Sequence, residues 1–220
     1  MKAVVVSTPG GPEVLEVVER PRPVLKAGWT LEKIQGFGIN HSEIFTRKGQ
    51  SPSVKFPRVL GIECVGVIEA TSDSQRFTPG QRVVSIMGEM GRDFDGSYAE
   101  YVLLPNQQIY PIKTDLPWEQ LATVPESYYT AYGAYKNLKL KASDRILVRA
   151  GASGVALAFF NLVKSSLPKA SVTASLRNPA KKAKLLASGY DQVIIEREGI
   201  LETSQTFDKI LDRSEERRVG

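Results

Sequence analysis

The sequence predicts a β-rich, partly closed barrel over residues 1–112 followed by an α/β unit with a parallel sheet over residues 113–212. Three observations carry this expectation. Short apolar runs punctuated by Gly and Pro fill the first half, the pattern of many short strands. After Lys113 strands alternate with helical segments, which requires a parallel sheet with right-handed crossovers. Residues 146–158 pass from an apolar run through a Gly-containing turn into a helix of small and apolar residues.

The elements follow in order. Residues 2–7 are a Val-rich strand, and Thr8-Pro9-Gly10-Gly11-Pro12 is a turn cluster. Residues 14–19 form a second strand; Pro21, Pro23 and Gly28 mark a loop. A third strand is expected over 31–38 and a short helix over 40–48, stopped by Gly49. Residues 59–69 are one long apolar strand interrupted by glycines, which mark bulges or close backbone approach. Pro79-Gly80 turns into a strand over 82–86. A polar, Gly-rich loop at 88–96 precedes an alternating strand at 97–104. In the second unit helices are expected over 118–123, 127–136, 153–166 and 179–187, the last with Pro at its first turn and Gly189 after its end. Strands are expected over 145–149, 170–176, 192–195 and 207–211. Four strands fall short of the usual six of a complete dinucleotide-binding sheet. Residues 213–220 change to a charged tail and are expected to be non-native, with the native chain cut near Asp212; a genuine charged tail is the alternative.

Composition narrows the function classes. With 42% hydrophobic and 24% charged residues the chain is an ordinary globular protein, expected to be cytoplasmic. No apolar run approaches the roughly 18 residues of a membrane span, and residues 1–7 are too short and strand-like for a secretory signal. A single cysteine, Cys64, excludes an intramolecular disulfide framework. His41 is the sole histidine, and catalytic zinc sites usually draw on several His, Cys or carboxylate ligands, so no metal is expected. The net charge of +5 comes without a basic run interleaved with aromatics, so nucleic acid is not an expected partner.

The turn at 150–155 is the main candidate site. A strand, a tight turn and a helix start together present backbone N–H groups and the helix dipole to a nucleotide pyrophosphate. The expected contacts are Ala150, Gly151, Ala152, Ser153, Gly154 and Val155. A G-x-G-x-x-G frame placed from Gly151 finds Ser153 and Ala156 at its second and third glycines. By itself such a loop is a cofactor site or an ordinary strand–helix turn. The following strand ends Thr173-Ala174-Ser175-Leu176-Arg177-Asn178, without the acid that binds a ribose 2′-OH. Ser175, Arg177, Asn178 and Lys181 suit a 2′-phosphate instead, which points to NADPH. The alternative is a solvated basic helix face.

Six segments together resemble the medium-chain dehydrogenase/reductase superfamily, and within it the zinc-independent quinone oxidoreductases. They are Gly10-Gly11-Pro12-Glu13-Val14-Leu15, Gly38-Ile39-Asn40-His41-Ser42-Glu43, Phe56-Pro57-Arg58-Val59-Leu60-Gly61-Ile62-Glu63, Gly96-Ser97-Tyr98-Ala99-Glu100-Tyr101, Thr130-Ala131-Tyr132-Gly133 and the glycine turn. The resemblance covers residues 1–212. It implies a GroES-like partial barrel followed by a Rossmann-like parallel sheet, here incomplete, with the cofactor in the cleft between them. Zinc-dependent relatives have Cys where this chain has Asn40 and His where it has Ile62; an amide and an isoleucine cannot replace a thiolate and an imidazole.

The expected chemistry is therefore NADPH-dependent hydride transfer to a quinone or an α,β-unsaturated carbonyl. Such acceptors need orientation and a hydrogen bond more than a Lewis acid. Asn40 is a candidate catalytic donor to the acceptor oxygen or the nicotinamide ribose; equally, it caps the helix that follows. By its place in the family Thr130 lies beside the nicotinamide, or else packs its helix. Tyr128 and Tyr129 line the pocket or supply a phenol proton, with Tyr129 the candidate donor; as aromatics they also suit packing. His41 reads as a surface residue at a helix start, and Glu63 as a hydrogen-bonded structural carboxylate. A homodimer is the partner expected of the full-length form. The competing functions are a nucleotide-binding redox sensor, a crystallin-like structural protein without turnover, and an inactive fragment.

Overall fold

A computed structural model describes residues 1–212; the expected non-native tail, 213–220, lies outside the described residues. The chain divides into two compact units, one over Met1–Glu126 and one from Ser127 onward. The division falls later than the expected point after residue 112 because the intervening segment lies back on the first unit. Helix α2 (Trp118–Leu121) buries Leu121. Arg82 stacks 3.9 Å from the centre of the Trp118 ring and donates from a terminal guanidinium nitrogen to the Leu116 carbonyl at 2.7 Å.

The first unit is a GroES-like half-barrel made of two antiparallel sheets. The smaller has the order β2 (Leu15–Glu19), β1 (Lys2–Val6), β4 (Arg58–Val59). The larger has the order β7 (Tyr101–Pro105), β3 (Trp29–Gly36), β5 (Glu63–Thr71), β6 (Arg82–Ile86), β8 (Ile109–Pro111). The expected single strand over 59–69 is in fact two strands in different sheets. Leu60–Ile62 is the corner, and Gly61 takes φ 105° there, a conformation that excludes most side chains. Ser97–Glu100, expected as strand, is instead a crossing in which Tyr98 N–H donates to Leu60 O at 2.9 Å and Val4 N–H to Tyr98 O at 2.7 Å. Strand β8 had no clear alternation in sequence; its pairing with β6 supplies it. Cys64, Ile68, Phe77, Val83, Met90, Val102, Leu104 and Ile109 make the core. Helix α1 (His41–Arg47) starts at Asn40.

The second unit has a Rossmann-like parallel sheet of order β11 (Gln192–Ile195), β10 (Ser171–Leu176), β9 (Arg145–Val148), β12 (Lys209–Leu211). The chain-order pattern 3-2-1-4 reverses beside β9, and open parallel sheets bind ligands at the carboxyl ends of strands at such a point. Helices α3 (Pro125–Leu138), which begins at the end of the first unit, α4 (Gly154–Ser166) and α5 (Lys182–Ala187) complete the described elements. Helix α4 buries Ala156, Ala158, Phe159, Phe160 and Val163 in the core with Val148, Val172 and Ala174. The expected helix over 179–187 opens as a 3-10 turn, Pro179–Lys181, because Asn178 caps it by accepting from Ala180 N–H at 3.0 Å. No helix among the described residues is long and apolar enough to cross a membrane.

Candidate functional site

In the first unit the residues around Asn40 form a closed polar network. Asn40 stands at the N-cap of α1 in an extended conformation. Its backbone N–H donates to Glu43 at 2.6 Å, the return half of a capping box. The Asn40 side-chain nitrogen donates to Glu63 at 2.8 Å, and Glu63 also accepts the Glu126 backbone N–H at 2.8 Å. Glu63 is thus a structural hydrogen-bonded carboxylate, and it fixes which end of the Asn40 amide faces it.

Glu43 is the centre of this network. It accepts Ile62 N–H at 2.9 Å and the Tyr98 hydroxyl at 2.6 Å in addition to Asn40 N–H. Ile62 N–H faces Glu43 because the chain turns out of β4 at Gly61. Burial raises the pKa of Glu43, and the donors from Tyr98, Asn40 and Ile62 pull against that rise. Burial likewise raises Glu63 against its donors from Asn40 and Glu126. The Tyr98 phenol is pushed up by burial first and then by the neighbouring Glu43 charge. A depression lined by Leu15, Ile39, Ile44, Leu60 and Tyr98 opens beside Asn40. Glu43 and Tyr98 were not candidates from sequence; the S/T/D/N-x-x-E capping pattern of Asn40 and Glu43 was the available signal. Among the described residues no three His, Cys, Asp or Glu side chains group as metal ligands.

In the second unit the turn after β9 has the features of an anion cradle. Gly151 is pressed against β10: a Cβ there would lie 2.6 Å from the Ala174 Cβ, and Gly151 N–H donates to Ser175 O at 2.9 Å. The left-handed turn residue is Ala150, at φ 51°, where a glycine would be unstrained. Ser153 caps α4, its hydroxyl oxygen accepting Ala156 N–H at 3.3 Å. The N–H groups of Gly154 and Val155 have no acceptor among the described residues. Those two groups, with the helix dipole behind them, fit a phosphate.

The strand-end residues separate into two sets. Ser175 is fully buried, and its hydroxyl donates to the Glu196 carboxylate. This corrects its assignment as an open 2′-phosphate donor: the inward face of β10 carries it into the sheet. Glu196 in turn accepts two guanidinium nitrogens of Arg149 at 3.0 and 3.2 Å. Burial works against its charge, yet Arg149 and Ser175 hold Glu196 below the ordinary range. Arg177, Asn178 and Lys181 are exposed, and among the described residues neither Arg177 nor Lys181 is ion-paired. Tyr129, on α3, is 64% exposed. Thr130 follows it and is half-buried. Tyr128 accepts from the Asn161 side-chain nitrogen at 3.0 Å, a packing contact between α3 and α4.

Residues 26–114 match the alcohol dehydrogenase GroES-like domain family. The chain is 32% identical over 202 residues to a quinone oxidoreductase of Homo sapiens, covering 90% of this chain and 59% of that protein. It is 29% identical over 204 residues to a quinone oxidoreductase of Lama guanicoe, covering 91% and 60%. The structure of the quinone oxidoreductase from Coxiella burnetii superposes with TM-score 0.86 at 28% identity, over 96% of this chain and 68% of that one. A mycobacterial protein solved in complex with NADPH superposes with TM-score 0.78 at 30% identity, over 90% and 60%. The chain spans about 60% of the length of the curated relatives named here. The chain carries a GroES-like domain over residues 26–114 and, over most of its length, is similar to quinone oxidoreductases of the medium-chain dehydrogenase/reductase superfamily.

Proposed function

We propose that the chain carries substrate- and cofactor-binding parts of an NADPH-dependent oxidoreductase that reduces quinones or α,β-unsaturated carbonyls without zinc. The observation that supports this most is the start of α4, where Gly154 and Val155 N–H groups are open behind a glycine held against β10. Ala150, Gly151, Ala152, Ser153, Gly154 and Val155 form the pyrophosphate cradle. Arg177, Asn178 and Lys181 take the 2′-phosphate. The cofactor supplies the hydride when bound. The Asn40 amide nitrogen carries two hydrogens; Glu63 takes one, and the other is offered to the acceptor oxygen. Tyr129 supplies the proton that completes the reduction, and Thr130 orients the nicotinamide.

The second reading is a nucleotide-binding protein without turnover. It is favoured by the hydrogen bonds that tie Asn40 to Glu43 and Glu63, since they account for Asn40 as a residue of the fold. The test measures cofactor binding by NADPH fluorescence and, separately, NADPH oxidation with a panel of quinones and enones. Binding with oxidation supports the enzyme; binding alone supports the second reading; no binding overturns both. Arg177→Asp is expected to shift the NADPH-over-NADH binding ratio toward NADH by on the order of tenfold. An unchanged ratio removes Arg177 from the 2′-phosphate site.

A further inference from the structure

The first unit holds a second concavity, of about 180 Å³. It shares no residue with the depression beside Asn40. Buried Val59 and Val102 line it together with the rings of Trp29, Phe94 and Tyr101. Trp29 and Phe94 meet edge to face, with centroids 5.1 Å apart and planes at 81°, so each ring holds the other in place. Small-molecule sites are mostly apolar with a few polar groups that set orientation, and this lining has that character.

The charge around it is unbalanced. The Lys26 ammonium sits 3.6 Å from the centre of the Trp29 ring, and among the described residues no carboxylate pairs with it. Asp95, also at the pocket, is the single carboxylate between two guanidiniums, Arg20 at 3.0 Å and Arg58 at 3.3 Å. Lys26 thus adds one uncompensated positive charge, and the Arg20–Asp95–Arg58 triad adds a second. An apolar, aromatic pocket under such a surplus complements an apolar anion.

We propose that this pocket binds a planar aromatic carboxylate, its ring packed among Trp29, Phe94 and Val102 and its carboxylate on Lys26. The cation already anchored on the tryptophan face loses little freedom when it takes up an anion. The site is independent of the nicotinamide site, and its test needs no turnover. The probe is 2-naphthoate, titrated into the ¹⁵N-labelled full chain and followed by amide and indole N–H shifts. Saturable shifts are expected at the Trp29 indole and at Phe94 and Val102. Lys26→Gln, at an exposed loop position, is expected to weaken 2-naphthoate binding about fivefold, the effect of a partly exposed ion pair. It should leave the binding of uncharged 2-methylnaphthalene unchanged. Ala99→Leu, which fills the pocket, should abolish both. Absence of saturable shifts, shifts centred on residues around Asn40, or equal 2-naphthoate affinity in Lys26→Gln would each overturn the proposal.

Discussion

Glu32 in the first unit and Glu196 in the second are both buried, and their surroundings differ in one respect. Glu32 is held by neutral partners: the Ser85 hydroxyl donates to it at 2.9 Å, and one of its oxygens has no partner. Glu43 and Glu63 are held in the same manner, by amides, backbone N–H groups and a phenol. Among the described residues no cation pairs with any of the three. Glu196 has Arg149. The consequence is a difference in sign. Burial without a cation raises a carboxyl pKa, whereas an adjacent guanidinium lowers it. The first unit is therefore expected to weaken as its acids ionise, and the second as its acid is protonated.

The largest expected effect is at Glu32, where burial pushes the pKa from 4.5 to about 8. The folded state then binds the extra proton between those values. Its stabilising contribution is complete below the lower value and is lost as pH rises through the upper one. By linkage the loss reaches about 5 kcal/mol. Urea midpoints of the first unit measured from pH 5 to 9 should fall steeply for the wild type and much less for Glu32→Gln. Identical slopes would mean that Glu32 does not carry the dependence.

The next effect breaks the contrasting pair. Arg149→Met leaves Glu196 buried with only Ser175, and removing one partner of such a pair costs about 3–5 kcal/mol. The lowered pKa of Glu196 also means that the wild-type pair contributes above the carboxylate's unfolded pKa and fades as pH falls through the folded one. Arg149→Met should therefore remove acid sensitivity from the second unit. A loss below 1 kcal/mol, read by chemical denaturation, would show that solvent already screens the pair.

A smaller effect tests whether neutral donors suffice in the first unit. Glu43→Ala leaves the N–H groups of Asn40 and Ile62 and the Tyr98 hydroxyl without their acceptor. The expected cost is about 3 kcal/mol, against about 1 kcal/mol for Tyr98→Phe, which removes one donor and leaves Glu43 its two backbone N–H donors. Equal costs for the two variants would assign the network's worth to Tyr98 alone. The smallest effect lies at Ala150, whose φ of 51° strains an L-residue. Ala150→Gly is expected to stabilise the second unit by about 0.5–1 kcal/mol, the relief of left-handed strain less the added chain entropy. A drop in Tm would show that the turn is not strained.

Several of these features were visible in the residue pattern, and their limits are instructive. Gly151 and the apolar runs around it identify the strand–turn–helix, because close packing and periodicity are local properties. Ala150 was hidden, since a positive φ at alanine contradicts the residue's own preference and is imposed by the turn. Ser175 looked like an open donor because its strand-end position is legible but the face it occupies depends on β10 lying between β9 and β11. Tyr98 reaches Glu43 across a sequence separation of 55 residues, and no local pattern predicts such a contact.

The sequence by itself determined the two successive units, the order of their elements, the absence of the zinc-ligand residues and the basic end of β10. These follow from hydrophobic period, turn chemistry and side-chain type, all of which act over a few residues. Only the tertiary structure decided that residues 58–71 serve two sheets, that Asn40 is held by Glu63, and that Glu196 is matched by a cation while Glu32 is not. Those outcomes depend on which strands become neighbours, and burial assigns its electrostatic costs only once that neighbourhood exists.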